Sequence, residues 1–275
     1  MKTHEWLLIT LLICCVSLAV FTCDDGDSST SSEQADDDDN DDNDSDNPFD
    51  DDDDDDDDSA DDDDETEENF ALAYSGYDQC TRINHADSLE ITDNAITVEA
   101  WIFPADFVED NVIAAKISIT DDHLQHGWVL FLNHGKLVFY AHGCGIIESR
   151  DVISMTKWTH VAGTCDGREV SIYIDGVHAG LYLTTGCQIE DNVSDVTIGS
   201  RMNCDWNNFS GLIDEVRISG EALYYDDFTP EETMSVGEET MALLHFNEGE
   251  GETAYDAGEH ANDGTIYRAT WVERE

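Results

Sequence analysis

Basic residues are scarce in this 275-residue chain: 11 Lys and Arg stand against 65 Asp and Glu, for a formal net charge of −54. A surface of that sign argues against nucleic acid as a partner, because phosphate binding needs a basic face. Helical spacing is also missing beyond one or two turns, and the best short candidate is Glu221 to Tyr225. There is no Gly-x-Ser-x-Gly elbow and no His-Glu-x-x-His pair. The nucleophilic serine of a hydrolase and the zinc helix of a metalloprotease therefore have no signature here.

What is present falls into three parts. Trp6 to Cys23 is a run of 18 residues without charge, preceded by Lys2, and reads as an export signal. Cys23 closes the run as Val20-Phe21-Thr22-Cys23, which resembles a bacterial lipoprotein signal whose Cys is acylated, although Phe and Thr stand where small residues are usual. Simple secretion, with cleavage after Ser17-Leu18-Ala19, and an uncleaved anchor are the alternatives, since 18 residues just span a bilayer core. All three readings carry the rest of the chain out of the cytoplasm, with a lipid on Cys23 as the expected membrane attachment.

Residues 24–69 hold 28 acids and no base, including nine consecutive Asp at 50–58. Such a tract cannot bury enough apolar surface to offset its ordering entropy, so it reads as a disordered, self-repelling linker. A polyanion that collects Ca²⁺ is a weaker reading, because a disordered run offers no defined cage.

Residues 70–275 keep 36 acids and 10 bases and show a period of two. Ile96 to Phe103 alternates until Pro104; Trp128–Leu132 and Leu137–Tyr140 flank Asn133-His-Gly-Lys136, a hairpin signal. Val170–Ile174 runs into Asp175-Gly176, which supplies the positive φ angles of a type I′ turn. Val196–Ile198 and Leu212–Ile218 follow the same rule. Strands at this spacing with polar connections predict an all-β fold, an antiparallel two-sheet sandwich.

Several segments carry a family resemblance, in order: Tyr74–Ile83 followed by Ser88–Thr92, Thr97–Pro104, Trp158–Thr164, Val170–Gly176, Ile198–Arg201 and Phe209–Ile218. Together they make residues 70–275 resemble the laminin-G-like jelly-roll domains of the concanavalin A-like lectin/glucanase superfamily. Leu243–Gly251 with Asn262–Ile266 resembles a segment that often opens such domains, and is read here as closing strand. The resemblance implies a structural Ca²⁺ at the sandwich edge, with Asp78 and Asp214 as ligands and a carbonyl from Gly76 or Gly211. Turn carboxylates that cap backbone N–H groups are the other reading of the two acids. The paired carboxylates of the glucanase branch, Glu-x-Asp-x-x-Glu, are absent. Asp214 and Glu215 are adjacent, so on a regular strand they point to opposite faces.

The loop 203–209 combines Trp206 with Asn207 and Asn208. A ring can stack on a pyranose face and amides can bind its hydroxyls, so these three are the candidate ligand-binding residues; Trp206 packed at the edge, with the amides forming turns, is the alternative. His123, His126, His134 and His142 are read as exposed loop and strand histidines, since a zinc site needs about three to converge. Cys80, Cys144, Cys165, Cys187 and Cys204 allow at most two bridges in one exported chain. Cys144 and Cys187 both follow Gly at strand ends and are expected to pair; partners for Cys80, Cys165 and Cys204 stay open, with a buried reduced thiol as the alternative for Cys165. The function expected is a non-catalytic recognition module that binds a glycan or an envelope protein, with a purely structural envelope domain, or less readily a glycan-degrading enzyme, as the alternatives.

Overall fold

The computed structural model describes residues 69–107, 110–119, 125–202 and 204–274. The signal segment, Cys23, the acidic tract up to residue 68, His123 and Asn203 lie outside them.

Among the described residues sixteen strands follow one another: β1 (Phe70–Ser75), β2 (Cys80–Ile83), β3 (Ile96–Pro104), β4 (Asn111–Ile119), β5 (Gln125–Asn133), β6 (Lys136–Ala141), β7 (Gly145–Val152) and β8 (Thr159–Cys165). The second half supplies β9 (Glu169–Ile174), β10 (Val177–Leu183), β11 (Val196–Ile198), β12 (Ser210–Ser219), β13 (Thr240–Leu244), β14 (Thr253–Ala254), β15 (Gly264–Tyr267) and β16 (Thr270–Glu273). They form two eight-stranded sheets. The first has the order β10-β9-β8-β3-β12-β1-β16, with β13 also paired to β12; the second is β14-β15-β2-β11-β4-β5-β6-β7. Every pairing is antiparallel, so this is the all-β jelly-roll sandwich.

Alternation sends every second residue into one core. Ile96, Val98, Ala100 and Ile102 of β3 meet Trp128, Leu130 and Leu132 of β5 and Phe139 of β6 there, all essentially inaccessible to water. Two tight hairpins are as the sequence predicts. His134 and Gly135 (φ 48° and 82°) join β5 to β6, and Asp175 and Gly176 (φ 49° and 74°) join β9 to β10. Both central residues are left-handed, which matches the strands' own twist. At Gly176 a Cβ would stand 2.0 Å from the Phe228 carbonyl oxygen, so no other residue fits.

One local expectation is corrected. Glu221–Tyr225 is not helical, because its backbone is spent on the first sheet: Glu221 O accepts from Thr97 Oγ1 (2.7 Å) and Leu223 N–H donates back to the same oxygen (2.9 Å). Ser88–Thr92, one of the segments that carry the resemblance, begins inside a single 3₁₀ turn at Asp87–Leu89. The C-terminal segment supplies four strands, β13 to β16, distributed over both sheets.

Candidate functional site

The two sheets differ in what lies on their outer faces. On the first sheet the outward positions are charged and yet buried. Glu99, 1% exposed, accepts hydrogen bonds from Arg217 Nε (2.8 Å), the Tyr224 hydroxyl (2.9 Å) and His160 Nε2 (3.0 Å). Burial pushes its pKa up, but His160 and Arg217 outweigh that and hold the carboxyl below its usual range. The cover is residues 220–238. Trp101 Nε1 donates to Glu231 O, Phe228 N–H to Gly176 O, and Met234 N–H to Glu215 Oε2. The Tyr224 and Phe228 rings stack at 3.5 Å over this patch.

Asp214 and Glu215 belong to the same sealed face. The expectation that they oppose each other fails, because the register shifts between Asp214 and Arg217 and Glu215 takes φ +49°. This bulge interrupts the alternation. Asp214 accepts from Arg274 Nη1 (2.5 Å), whose guanidinium also stacks over Trp158 and Trp101. Glu215 is taken by Met234 N–H and by His245 Nδ1 at 2.9 Å. Burial pushes the Asp214 pKa up to about 7 despite Arg274. The hydrogen bond that His245 donates to Glu215 raises the pKa of His245.

The second sheet carries apolar residues on its outer face: Val112, Ala115, Ile117 and Val129 are buried, with Phe131, Tyr140 and Met202 half-buried against them. Beside them runs the 199–209 loop, tied down at many points. A Cys80–Cys204 disulfide binds it to β2. Arg201 N–H and the Ser200 hydroxyl both donate to Trp206 O, and Val112 N–H donates to Asn207 O. Asn207, at φ +53°, donates from Nδ2 to Asp110 Oδ2 (3.2 Å). Trp206 is 54% exposed. The Arg201 guanidinium has its pKa lowered by burial, against the nearby Asp110 and Tyr140. A phenol, an amide, a carboxylate and a guanidinium thus stand together at one apolar patch, and the same loop carries an exposed indole.

The sequence nominees scatter. Trp206 and Asn207 are on this loop; Asn208 is turned inward, 8% exposed, with Nδ2 donating to Cys204 O. Asp78 and Asp214 are not brought together. Asp214 follows Ile213, the partner of Leu72, whereas Asp78 lies beyond Ser75 at the other end of β1. The three steps from Leu72 to Ser75 alone span on the order of 10 Å, too far to share an ion bound at about 2.4 Å. Asp78 instead meets Arg268 at 3.4 Å. As donors the two therefore do not fit a common Ca²⁺. Cys144–Cys187 forms as expected, and Cys165 is a free, buried thiol whose pKa burial raises to about 11. Charge and spacing gave no hint of the Cys80–Cys204 pair, nor of the buried Glu99–Arg217–His160 network, since Tyr224 of its cover comes from 125 residues downstream of Glu99.

Fold and bridges define the class: a disulfide-bonded jelly-roll domain made for an oxidising compartment. A laminin G family model, described as the concanavalin A-like lectin/glucanases superfamily, matches residues 75–227, and the chain belongs to that superfamily. Among solved structures it is similar to a presumed carbohydrate binding protein from Bacteroides ovatus, with a TM-score of 0.60 and 17% identity. That match covers 76% of this chain, which spans only 61% of the other. Two further similarities are to the CBM40 of Ruminococcus gnavus IT-sialidase bound to α2,3-sialyllactose (TM-score 0.44, 12% identity, 56% and 91% covered) and to domains LG4-5 of the mouse laminin α1 chain (0.43, 12%, 62% and 48%). At these identities the likeness is one of fold. No curated protein matches the sequence. Among the described residues no helix is long and apolar enough to cross a membrane.

Proposed function

We propose that residues 70–275 are a non-catalytic recognition module, held outside the cell by a lipid on Cys23 and an acidic stalk, that binds a neutral glycan on the outer face of the second sheet. The observation that carries this reading is the contrast between the two faces. The first is roofed by residues 220–238, with its carboxylates already bonded to protein donors. The second presents half-buried Phe131 and Tyr140, and the loop tied to its edge carries the exposed indole of Trp206. Aromatic faces with a few fixed polar groups are the usual make-up of a small-ligand site. Neutral sugars are favoured because 36 acids against 10 bases repel anionic ones. Calcium is no part of this proposal, since Asp78 and Asp214 face different arginines at opposite ends of β1.

The test is a titration of the full chain with neutral oligosaccharides, followed by tryptophan fluorescence. Trp206→Ala is expected to weaken binding by about 1–3 kcal/mol, the worth of one stacked ring, without moving the melting midpoint. Binding that is indifferent to Trp206 and Tyr140 would remove the face from consideration. No binding to any glycan would leave an envelope protein as the ligand class.

A further inference from the structure

His126 and His142 come together at one end of the second sheet, where β5 begins and β6 has just ended, with Glu190 reaching them from the loop after β10. Glu190 Oε2 lies 3.1 Å from His126 Nδ1 and 3.4 Å from His142 Nδ1. The imidazole rings are 4.6 Å apart and tilted by 36°. One ligand atom from each of the three residues falls within 4.8 Å of the others. His142 Nδ1 is buried and makes no hydrogen bond. A simple ion pair would need one imidazole on the carboxylate; a second ring nitrogen converging on the same oxygen without bonding to it calls for another account.

A metal ion supplies one. Two atoms bound at about 2.0–2.1 Å to a tetrahedral ion stand about 3.3 Å apart, and the two nitrogen–oxygen spacings bracket that value. The backbone holds the three residues in register before any ion arrives. His142 N–H donates to Gly127 O, Glu190 N–H to His142 O, and Gly127 N–H to Glu190 O. Gly127 is at φ +104°, where a Cβ would stand 1.9 Å from the Lys116 carbonyl oxygen, so the strand adjoining His126 admits only glycine. Asn192 Nδ2 donates to His126 O at 2.9 Å, and the Cys144–Cys187 bridge pins the loop three residues before Glu190. The neighbouring Lys116 ammonium is occupied by Asp191 and Asn192.

We propose that His126, His142 and Glu190 form a site for a divalent transition ion, with Zn²⁺ as its occupant. Imidazole and carboxylate suit such ions, while two nitrogen donors discriminate against Ca²⁺. Three protein ligands leave one coordination position, and the half-exposed Glu190 side chain turns it toward solvent. The ion ties the loop of residues 184–195 to the strand ends.

The experiment is a calorimetric titration of the metal-free, oxidised full chain with Zn²⁺, in excess Ca²⁺ to occupy the acidic tract. One equivalent is expected to bind in the presence of Ca²⁺. Glu190→Gln and His142→Gln are each expected to weaken it by at least about tenfold, since even groups that only orient ligands cost about 10–100-fold. Co²⁺ is expected to give the visible bands of a tetrahedral site in the parent chain and not in the variants. Identical titrations of parent and variants, or displacement of Zn²⁺ by equimolar Ca²⁺, would overturn the site. Melting without metal verifies that each variant folds, and Glu190→Gln, at a half-exposed side chain, decides the matter if the histidine variant does not.

Discussion

Glu99 occupies a position that the sequence marks as outward-facing, between Val98 and Ala100 of an alternating strand. Its burial comes instead from Tyr224 and the segment around it, which close over an ionised carboxylate bonded to Arg217, His160 and Tyr224. A buried charge of this kind is tolerated only while its partners remain. Arg217→Met leaves Glu99 without its cation and Tyr224 without a donor, and is expected to cost about 3–5 kcal/mol in urea unfolding. A loss below about 1 kcal/mol would show that water reaches the carboxylate and that the roof is not closed. Asn208 makes the same point in the opposite direction: its residue type suggested a sugar contact, and a bond to Cys204 O turned it into a loop brace.

Among the elements, the two connections that matter for function are the 199–209 loop and the loop between β10 and β11, and each is anchored by a disulfide. The chain-entropy account scales with the loop closed. For Cys144–Cys187, 43 residues apart, it gives about 4 kcal/mol. The double variant Cys144→Ala, Cys187→Ala is therefore expected to shift the denaturation midpoint down by up to that amount. An unchanged midpoint would mean that the backbone bonds of Cys187 to Gly167 and of Glu190 to His142 hold the loop alone. Segment 220–238 has no bridge and no regular structure, and its grip on the first sheet comes from side chains of β3, β9 and β12 together with backbone bonds at the β9–β10 turn. Its placement could not be read from its own residues, which carry only a weak helical signal.

For the whole molecule, charge sets the response to pH. His245 has its pKa raised above the ordinary 6.5 by Glu215, so its contribution is complete below 6.5 and is lost as pH climbs through the raised value. Asp214, raised to about 7 by burial, binds a proton more tightly folded than unfolded, and stability falls between its ordinary 3.8 and about 7. Glu99 acts oppositely: its lowered pKa makes stability fall in acid, as pH drops through the folded value. The melting midpoint is therefore expected to be higher at pH about 5.5 than at pH about 8, with His245→Gln flattening the alkaline side. A midpoint that rises toward pH 8 would rule out these two groups as its controllers.

Period-two patterning over Ile96–Phe103, Trp128–Leu132 and Val170–Ile174, with two-residue turns at His134-Gly135 and Asp175-Gly176, determined the strands, hairpins and sandwich from sequence alone. That works because alternation and turn chemistry are local, each settled within a few residues by sterics and by which face must be dry. The superfamily was legible for the same reason, in motifs short enough to lie on single strands. Tertiary structure alone decided which face is sealed, that Asp78 and Asp214 sit at opposite ends of β1, and that His126, His142 and Glu190 converge. Those outcomes depend on bulges and on pairings between strands as distant in sequence as β1 and β16, where one shifted register moves a side chain to the other face, and no local pattern records them.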